Sequence, residues 1–156
     1  MRARAGLASC LWQLDQHQDA IGHFQEMLRL NPGDNQGIRY ILLTCYLTEG
    51  VDAEAERLLG EYEDDASATW LYNRVLLLYR QEKSGKKARV QLQEAMRYNS
   101  HVPTYLLGHK RLPRQLPPYV GFGDENEAVT YMAEAGHLWA QEEGSLDWLR
   151  RISTES

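Results

Sequence analysis

The sequence has few cysteines, few prolines and no long apolar run, and each shortage excludes a class of protein. Two cysteines and five prolines occur in 156 residues. Two cysteines are too few for a disulfide-stabilised scaffold, so we expect Cys10 and Cys45 to be reduced core thiols. No apolar stretch reaches the roughly 18 residues of a membrane span, and we find no targeting segment before the first helical pattern. We therefore expect a cytoplasmic protein without a membrane partner.

An excess of positive charge is also missing. The chain has 17 Lys and Arg residues against 22 Asp and Glu residues, a net charge of -5. This balance argues against nucleic acid as the main partner, because neutralising phosphates requires a basic face. A hydrophobic content of 43% and a charged content of 25% are ordinary for a globular protein. The length fits one domain with a sizeable core.

What the sequence does contain is a phased repeat of small residues. Ala20, Ala55 and Ala88 are 35 and 33 residues apart, and each stands four residues before a bulky apolar residue. The bulky residues are Phe24, Leu59 and Leu92. A period near 34 is typical of stacked helical hairpins, in which a small residue lets two helices approach closely. We predict an all-α solenoid of three hairpins over residues 1–34, 35–66 and 67–100.

Apolar residues at helical spacing predict the buried face of each helix in these hairpins. Pro32 and Gly50 are expected to end helices, and Asp65 or Ser67 is expected to cap the start of the third hairpin. The predicted stripes are Leu7, Ala8, Leu11 and Leu14; Ala20, Ile21, Phe24, Met27 and Leu28; Ile38, Ile41, Leu42, Cys45 and Tyr46; Ala55, Leu58, Leu59 and Tyr62; Trp70, Tyr72, Val75, Leu76 and Tyr79; Ala88, Leu92, Ala95 and Met96.

The tail, residues 101–156, departs from the repeat. We predict a short helix near Pro103, an extended segment over 110–123, a helix from Asp124 to Gln141 and a last helix from Ser145. Acidic residues at 124, 125 and 127 complement the positive end of the long helix. Trp139 and Trp148 are expected in the core. Because a repeat stack leaves its last apolar face exposed, the tail is predicted to cap it on the same domain.

Two resemblances follow from these residues. Leu7, Ala8, Leu11, Ala20, Phe24 and Pro32 resemble the tetratricopeptide pattern, although Arg4 stands where a tryptophan is usual. The tail resembles the suppressor-of-tumorigenicity-seven family and similar bacterial repeat proteins, through residues 99–107, Gly123-Asp124, Glu127-Ala128, Tyr131, Trp139 and residues 143–146. The resemblance implies a helical-repeat protein with a dedicated C-terminal cap, and it implies no catalytic residue.

The first helices of such hairpins form a concave face that binds an extended or helical peptide. We predict a non-catalytic adaptor that binds a protein or peptide partner there. The phase places six residues on this face: Tyr40, Thr44, Asn73, Arg74, Leu77 and Arg80. A clamp for a C-terminal carboxylate is not predicted, because only Arg74 suits it and Ser9, Thr44 and Trp70 stand where basic or amide side chains are needed.

The remaining motifs predict no chemistry, so we expect no enzyme, metal or cofactor. Gly121-Phe122-Gly123 lacks a third glycine and is interpreted as a turn. The acidic run 61–65 lacks the alternation of a calcium loop, and the five histidines lack metal spacing. The basic stretch 109–114 is either a solvated loop or a dock for an acidic surface.

Two alternatives to the adaptor stay open. The N-terminal helix has no cap before it, so its apolar face could pair with another copy and form a homodimer through the N-terminal repeat. The chain could also be a regulatory module of a longer protein with an upstream domain.

Overall fold

The computed structural model describes residues 16–83 and 85–155, and within these ranges all regular secondary structure is helical. This confirms the predicted all-α class. The predicted stripe at 7–14, and Cys10 with it, lies outside the described residues. Eight helices lie within them: α1 His17–Leu30, α2 Ile38–Glu49, α3 Asp52–Glu61, α4 Ala68–Glu82, α5 Lys86–Tyr98, α6 Val102–Leu106, α7 Glu125–Gln141 and α8 Ser145–Glu155. The chain forms two compact units, Met1–Leu58 and Leu59–Ser156.

In the first unit α1 packs against α2. Helix α1 buries all five predicted residues, and α2 ends at Gly50, whose φ of 74° is left-handed. The prediction for Ile41 is wrong, since 41% of this residue is exposed. Leu43 and Leu47 are buried instead. Because residues two apart on a helix point about 200° away from each other, burying Leu43 turns Ile41 outward.

The alanines of the repeat are all buried. Ala20, Ala55 and Ala88 have no exposed surface, and the bulky residue four positions after each is at most 4% exposed. The phase of the repeat therefore correctly predicted that these alanines and their bulky partners lie in the core.

The second unit contains the hairpin of α4 and α5. The Ser67 side chain caps α4 by accepting the Trp70 N–H at 3.3 Å, which confirms one of the two predicted caps. Asp65 supports this turn by accepting the Ser67 N–H at 2.8 Å. The rings of Trp70 and Tyr62 meet edge to face, 6.1 Å between centroids.

The tail completes the second unit. Helix α7 packs against α4, α6 and α8, and α6 also packs against α8. Residues 107–124 contain no regular helix or strand, as predicted for 110–123. Trp139 and Trp148 are buried, which confirms both as core. The predicted boundary at residue 100 thus falls inside this unit. No helix of the described residues has both the length and the apolar character needed to cross a membrane.

Candidate functional site

Two of the predicted concave-face residues, Tyr40 and Thr44, are half-buried on α2. The Arg39 guanidinium lies 4.5 Å from the centre of the Tyr40 ring and donates to its hydroxyl at 2.9 Å. The Thr44 hydroxyl donates to the Tyr40 carbonyl at 3.1 Å. Asp34, itself buried, accepts the backbone N–H groups of Ile38 and Arg39. These polar groups therefore already bond within the first unit.

The other four predicted residues lie on α4, and two of them are not on an open surface. Asn73 has no exposed surface and Leu77 is 3% exposed. The Nε of Arg80 donates to Glu142 at 3.2 Å, while Arg74 is half-buried. From the sequence, only one face of α4 was expected in the core, but α7 also packs against this helix. The run of apolar residues 75–79 was the available signal, because a helix that is apolar all round is a buried one.

Asn73 belongs to a hydrogen-bonded chain in the core. The Tyr131 hydroxyl donates to its Oδ1 at 2.7 Å, and the Trp139 indole N–H donates to the Tyr131 oxygen at 2.9 Å. Burial raises the pKa of Tyr131, so this phenol stays protonated and keeps its donor. Within the described part of the chain the Nδ2 of Asn73 has no hydrogen-bond partner. The residue supports the packing of α7 rather than a surface site.

A buried carboxylate holds the tail to the third hairpin. Glu127 is 7% exposed and accepts three N–H groups: the Ala68 backbone at 3.0 Å, the Asn99 side chain at 2.8 Å and the Gly123 backbone at 3.0 Å. Tyr72 donates its hydroxyl to the Asn99 carbonyl at 2.5 Å. We call these five residues the Glu127 cluster. The carboxylate neutralises the positive start of α4, so the tail caps a helix that lies 59 residues earlier.

Gly123 is required by the backbone geometry of this cluster. Its φ is +82°, and a Cβ at this position would lie 2.8 Å from the Tyr98 carbonyl oxygen. The turn before α7 is as predicted: Gly121 donates its N–H to Asp124 at 2.9 Å, and Asp124 accepts the Glu127 N–H at 2.8 Å. The glycines therefore serve a helix start, not a phosphate loop.

An open cleft of about 620 Å³ lies between α5, α6 and α8. Met96, Pro103 and Leu107 give it an apolar floor, and side chains with guanidinium, imidazole, amide or hydroxyl groups surround this floor. None of the eleven described residues that line it is aspartate or glutamate. The full lining is Gln93, Met96, Arg97, Ser100, Pro103, Thr104, Leu107, His109, Arg150, Ser153 and Thr154.

The polar groups of this cleft differ in how far they are already satisfied. Arg97 is exposed and forms no ion pair with any described residue. Arg150 bonds to Asp147 at 3.3 Å, in an exposed pair one turn apart on α8. The hydroxyls of Ser153 and Thr154 donate to carbonyls of their own helix at 2.7 and 2.9 Å. The cleft thus offers cationic donors beside an apolar surface, which suits an anionic and partly apolar ligand.

The predicted basic stretch starts at this cleft. His109 lines it, and residues 110–114 follow, all exposed. Lys110 donates to Glu125 at 2.6 Å, and this hydrogen bond holds the pKa of the Glu125 carboxyl below its usual range. Arg111 and Arg114 form no ion pair with any described residue. One cation of the stretch is therefore bound within the chain, and two arginines are open to a partner.

Reactive features that bear on catalysis include the Cys45 thiol and possible groups of metal ligands. Cys45 is buried, and this burial, with the nearby Glu49, raises the pKa of its thiol to about 12. A thiol with such a pKa is protonated at neutral pH and is a weak nucleophile. Across residues 16–83 and 85–155, no three histidine, cysteine, aspartate or glutamate side chains are grouped to hold a metal ion.

No pattern in the sequence predicted the cleft. Its lining comes from residues 93–109 and 150–154, and only the packing of the tail brings these segments together. Met96 was expected in the core but is half-buried, because its end of α5 faces the cleft.

Comparison with known proteins finds no match for this chain among family models, curated proteins or solved structures. The two family resemblances therefore stay predictions.

Proposed function

We propose that this protein is a non-catalytic adaptor that binds a peptide segment of a partner protein in the cleft between α5, α6 and α8. The observation that carries the proposal is the combination of an apolar floor, at Met96, Pro103 and Leu107, with a rim of polar side chains that includes the exposed Arg97. Ligand sites combine apolar contact area with a few placed polar groups in this way. Tyr40, Thr44, Arg74 and Arg80 stay predictions for a concave-face contact.

The form of the cleft favours a peptide as its ligand. Short helix α6 forms one wall and the last turns of α5 and α8 form the others. A site of about 620 Å³ is within the usual range of ligand pockets of about 300–1,000 Å³. Hydroxyl oxygens on α8 accept, and guanidinium groups donate, so both kinds of backbone polar group in an extended segment find partners.

We propose no catalytic role because the hydroxyl and thiol groups that could act as nucleophiles are not activated. Hydroxyls of Ser153 and Thr154 donate to backbone carbonyls, so neither donates to a base. A nucleophilic hydroxyl needs such a base to activate it. The thiol of Cys45 is buried and protonated.

A selection with a displayed random peptide library tests the proposal. We expect selected peptides to protect backbone amides of α5, α6 and α8 from hydrogen exchange. Thr154→Trp, which fills the cleft from the exposed last turn of α8, should abolish binding. Ala140→Trp is the matched control, because it adds an exposed tryptophan to α7 outside the cleft lining.

Either of two results would overturn the proposal. One is a selection that yields no binder to the folded protein. The other is a set of binders whose affinity is the same for the Thr154→Trp and Ala140→Trp variants. Thermal melts of both variants confirm that each is folded before binding is measured. The homodimer and regulatory-module alternatives depend on the N-terminal end, outside the described residues, and stay predictions.

A further inference from the structure

We propose that the ligand of the cleft is an acidic peptide, whose carboxylates are bound by Arg97 and Arg150 and which continues along the basic stretch 109–114. This inference rests on the proposed function, since it names the class of peptide for the same site. It commits to a peptide in which aspartate or glutamate alternates with apolar residues.

The charge distribution favours an acidic ligand. The chain has 22 acidic and 17 basic residues, yet no acidic residue occurs among the eleven that line the cleft. The two guanidinium groups come from different helices, Arg97 from α5 and Arg150 from α8. A guanidinium presents several N–H donors in a plane and matches the two oxygens of a carboxylate. The cleft is thus complementary to negative charge in a protein that is negative overall.

Both arginines are available to such a ligand. Arg97 has no ion-pair partner among the described residues. The partner of Arg150 is Asp147, 87% exposed, on the same helix. An exposed pair at this spacing contributes little to stability, so a ligand carboxylate can replace it. Hydroxyl donors on α8 are turned to the helix backbone, which leaves the arginines as the main donors.

The basic stretch extends this positive surface beyond the cleft. His109 lines the cleft, and Arg111 and Arg114 follow it in an exposed segment. Along an extended chain these two residues are within about 7 and about 17 Å of position 109. Neither arginine pairs with a carboxylate in the described part of the chain. An acidic segment that enters the cleft therefore meets further cations within a few residues.

Apolar contacts distinguish a peptide from a simple anion. The floor of the cleft is apolar, and Leu112 and Leu116 of the adjoining segment are 39% and 52% exposed. An inorganic anion would use only the charged groups and leave this surface in water. Leucine or phenylalanine between the acidic residues of a peptide would cover it, and covering exposed apolar surface favours binding.

Three synthetic peptides of about ten residues, long enough to span the cleft and the stretch when extended, test the ligand class. The first alternates Asp or Glu with Leu or Phe, the second carries the matching amides, and the third carries lysines. We expect the acidic peptide to bind about tenfold tighter than the amide peptide, and the lysine peptide not to bind. The affinity of the acidic peptide should fall as NaCl is raised from about 50 mM to about 500 mM.

Charge variants locate the site. Arg97→Glu should weaken binding of the acidic peptide about tenfold, because it replaces an attraction by a repulsion. Arg97→Lys should weaken binding less, because it keeps the positive charge and loses only the planar donors of the guanidinium. Arg151→Glu is the matched control: the same charge change on α8, at an exposed residue that does not line the cleft. It should change the affinity by less than about threefold, as expected for a screened charge.

The outcomes separate this inference from the proposed function. If cleft-binding peptides prove neutral or basic, or if Arg97→Glu and Arg151→Glu weaken binding equally, the inference is overturned and the adaptor stands. If inorganic phosphate competes as strongly as the acidic peptide, the site is an anion site and the peptide class is wrong. If every peptide binds the Thr154→Trp variant as tightly as the Ala140→Trp control, both proposals are wrong.

Discussion

The Glu127 cluster and the cleft both include residues at the end of α5, but they use polar side chains in opposite ways. Asn99 joins the cluster just after α5 ends, whereas Arg97 and Ser100, on either side of it, line the cleft. In the cluster one buried carboxylate is bonded to three N–H groups. In the cleft a guanidinium has no carboxylate partner among the described residues. The end of α5 thus separates a contact that fixes the tail from a surface left for a ligand.

Burial explains why the two regions should respond differently to substitution. A buried N–H group that loses its acceptor costs about 1–3 kcal/mol. An exposed ion pair contributes about 0–1 kcal/mol to the free energy of unfolding, because water solvates each charge when its partner is removed. Changes in the cluster should therefore lower the free energy of unfolding, and changes to the exposed charges of the cleft should alter binding alone.

The largest effect is expected at the carboxylate of the cluster. Glu127→Ala leaves three N–H groups without their acceptor, two of them on the backbone, and should lower the free energy of unfolding by about 3 kcal/mol. Glu127→Gln keeps one acceptor oxygen and should cost about half as much. Glu63→Ala, at an exposed position, should change stability by less than about 0.5 kcal/mol. Urea denaturation of the three variants measures these differences, and equal costs for all three would contradict the role given to the cluster.

A smaller difference in the free energy of unfolding is expected between alanine substitutions at two apolar residues of α5. Leu92 has no exposed surface, whereas Met96, one turn later, is half-buried at the cleft. Leu92→Ala should lower the free energy of unfolding by about 3 kcal/mol, because it leaves a cavity in the core. Met96→Ala should cost about 1 kcal/mol, since its site is already open to water. Both values come from the same urea titrations. If Met96→Ala costs as much as Leu92→Ala, the cleft is closed in solution and the binding proposal loses its site.

The features that the sequence predicted well are those set by neighbours in the chain. The alanines at 20, 55 and 88 are buried, as their periodic pattern predicted, and Ser67 caps α4. Asp124, which was expected to complement the positive start of α7, lies at that start and caps it. Gly50 ends α2 because it alone tolerates a left-handed backbone at low cost. Each of these depends on a few residues of local structure, so no knowledge of the tertiary fold was needed.

What the sequence could not give depends on where the tail packs. Asn73 was assigned to a surface because its helix was given one buried face, but α7 supplies a second one. Glu127 was expected only to complement the start of its own helix, yet it also caps α4 through Ala68. The cleft joins residues some 50 positions apart in the chain. The spacing of apolar residues shows which face of a helix is buried, but not which other helix covers it. Several ways of packing the tail would bury the same apolar faces.

The smallest change in stability is expected at Arg97. This variant gives the clearest test of the difference between the Glu127 cluster and the cleft. This guanidinium is exposed and has no ion-pair partner among residues 16–83 and 85–155, so Arg97→Ala should shift the free energy of unfolding by less than about 0.5 kcal/mol. The same variant should bind the acidic peptide several-fold more weakly. Thermal and urea denaturation measure the first quantity and fluorescence anisotropy the second. A loss of stability comparable to that of Glu127→Ala would make Arg97 a structural residue, and its lack of an acidic neighbour would then say nothing about a ligand. A loss of affinity with stability unchanged is the combination that only a binding residue produces.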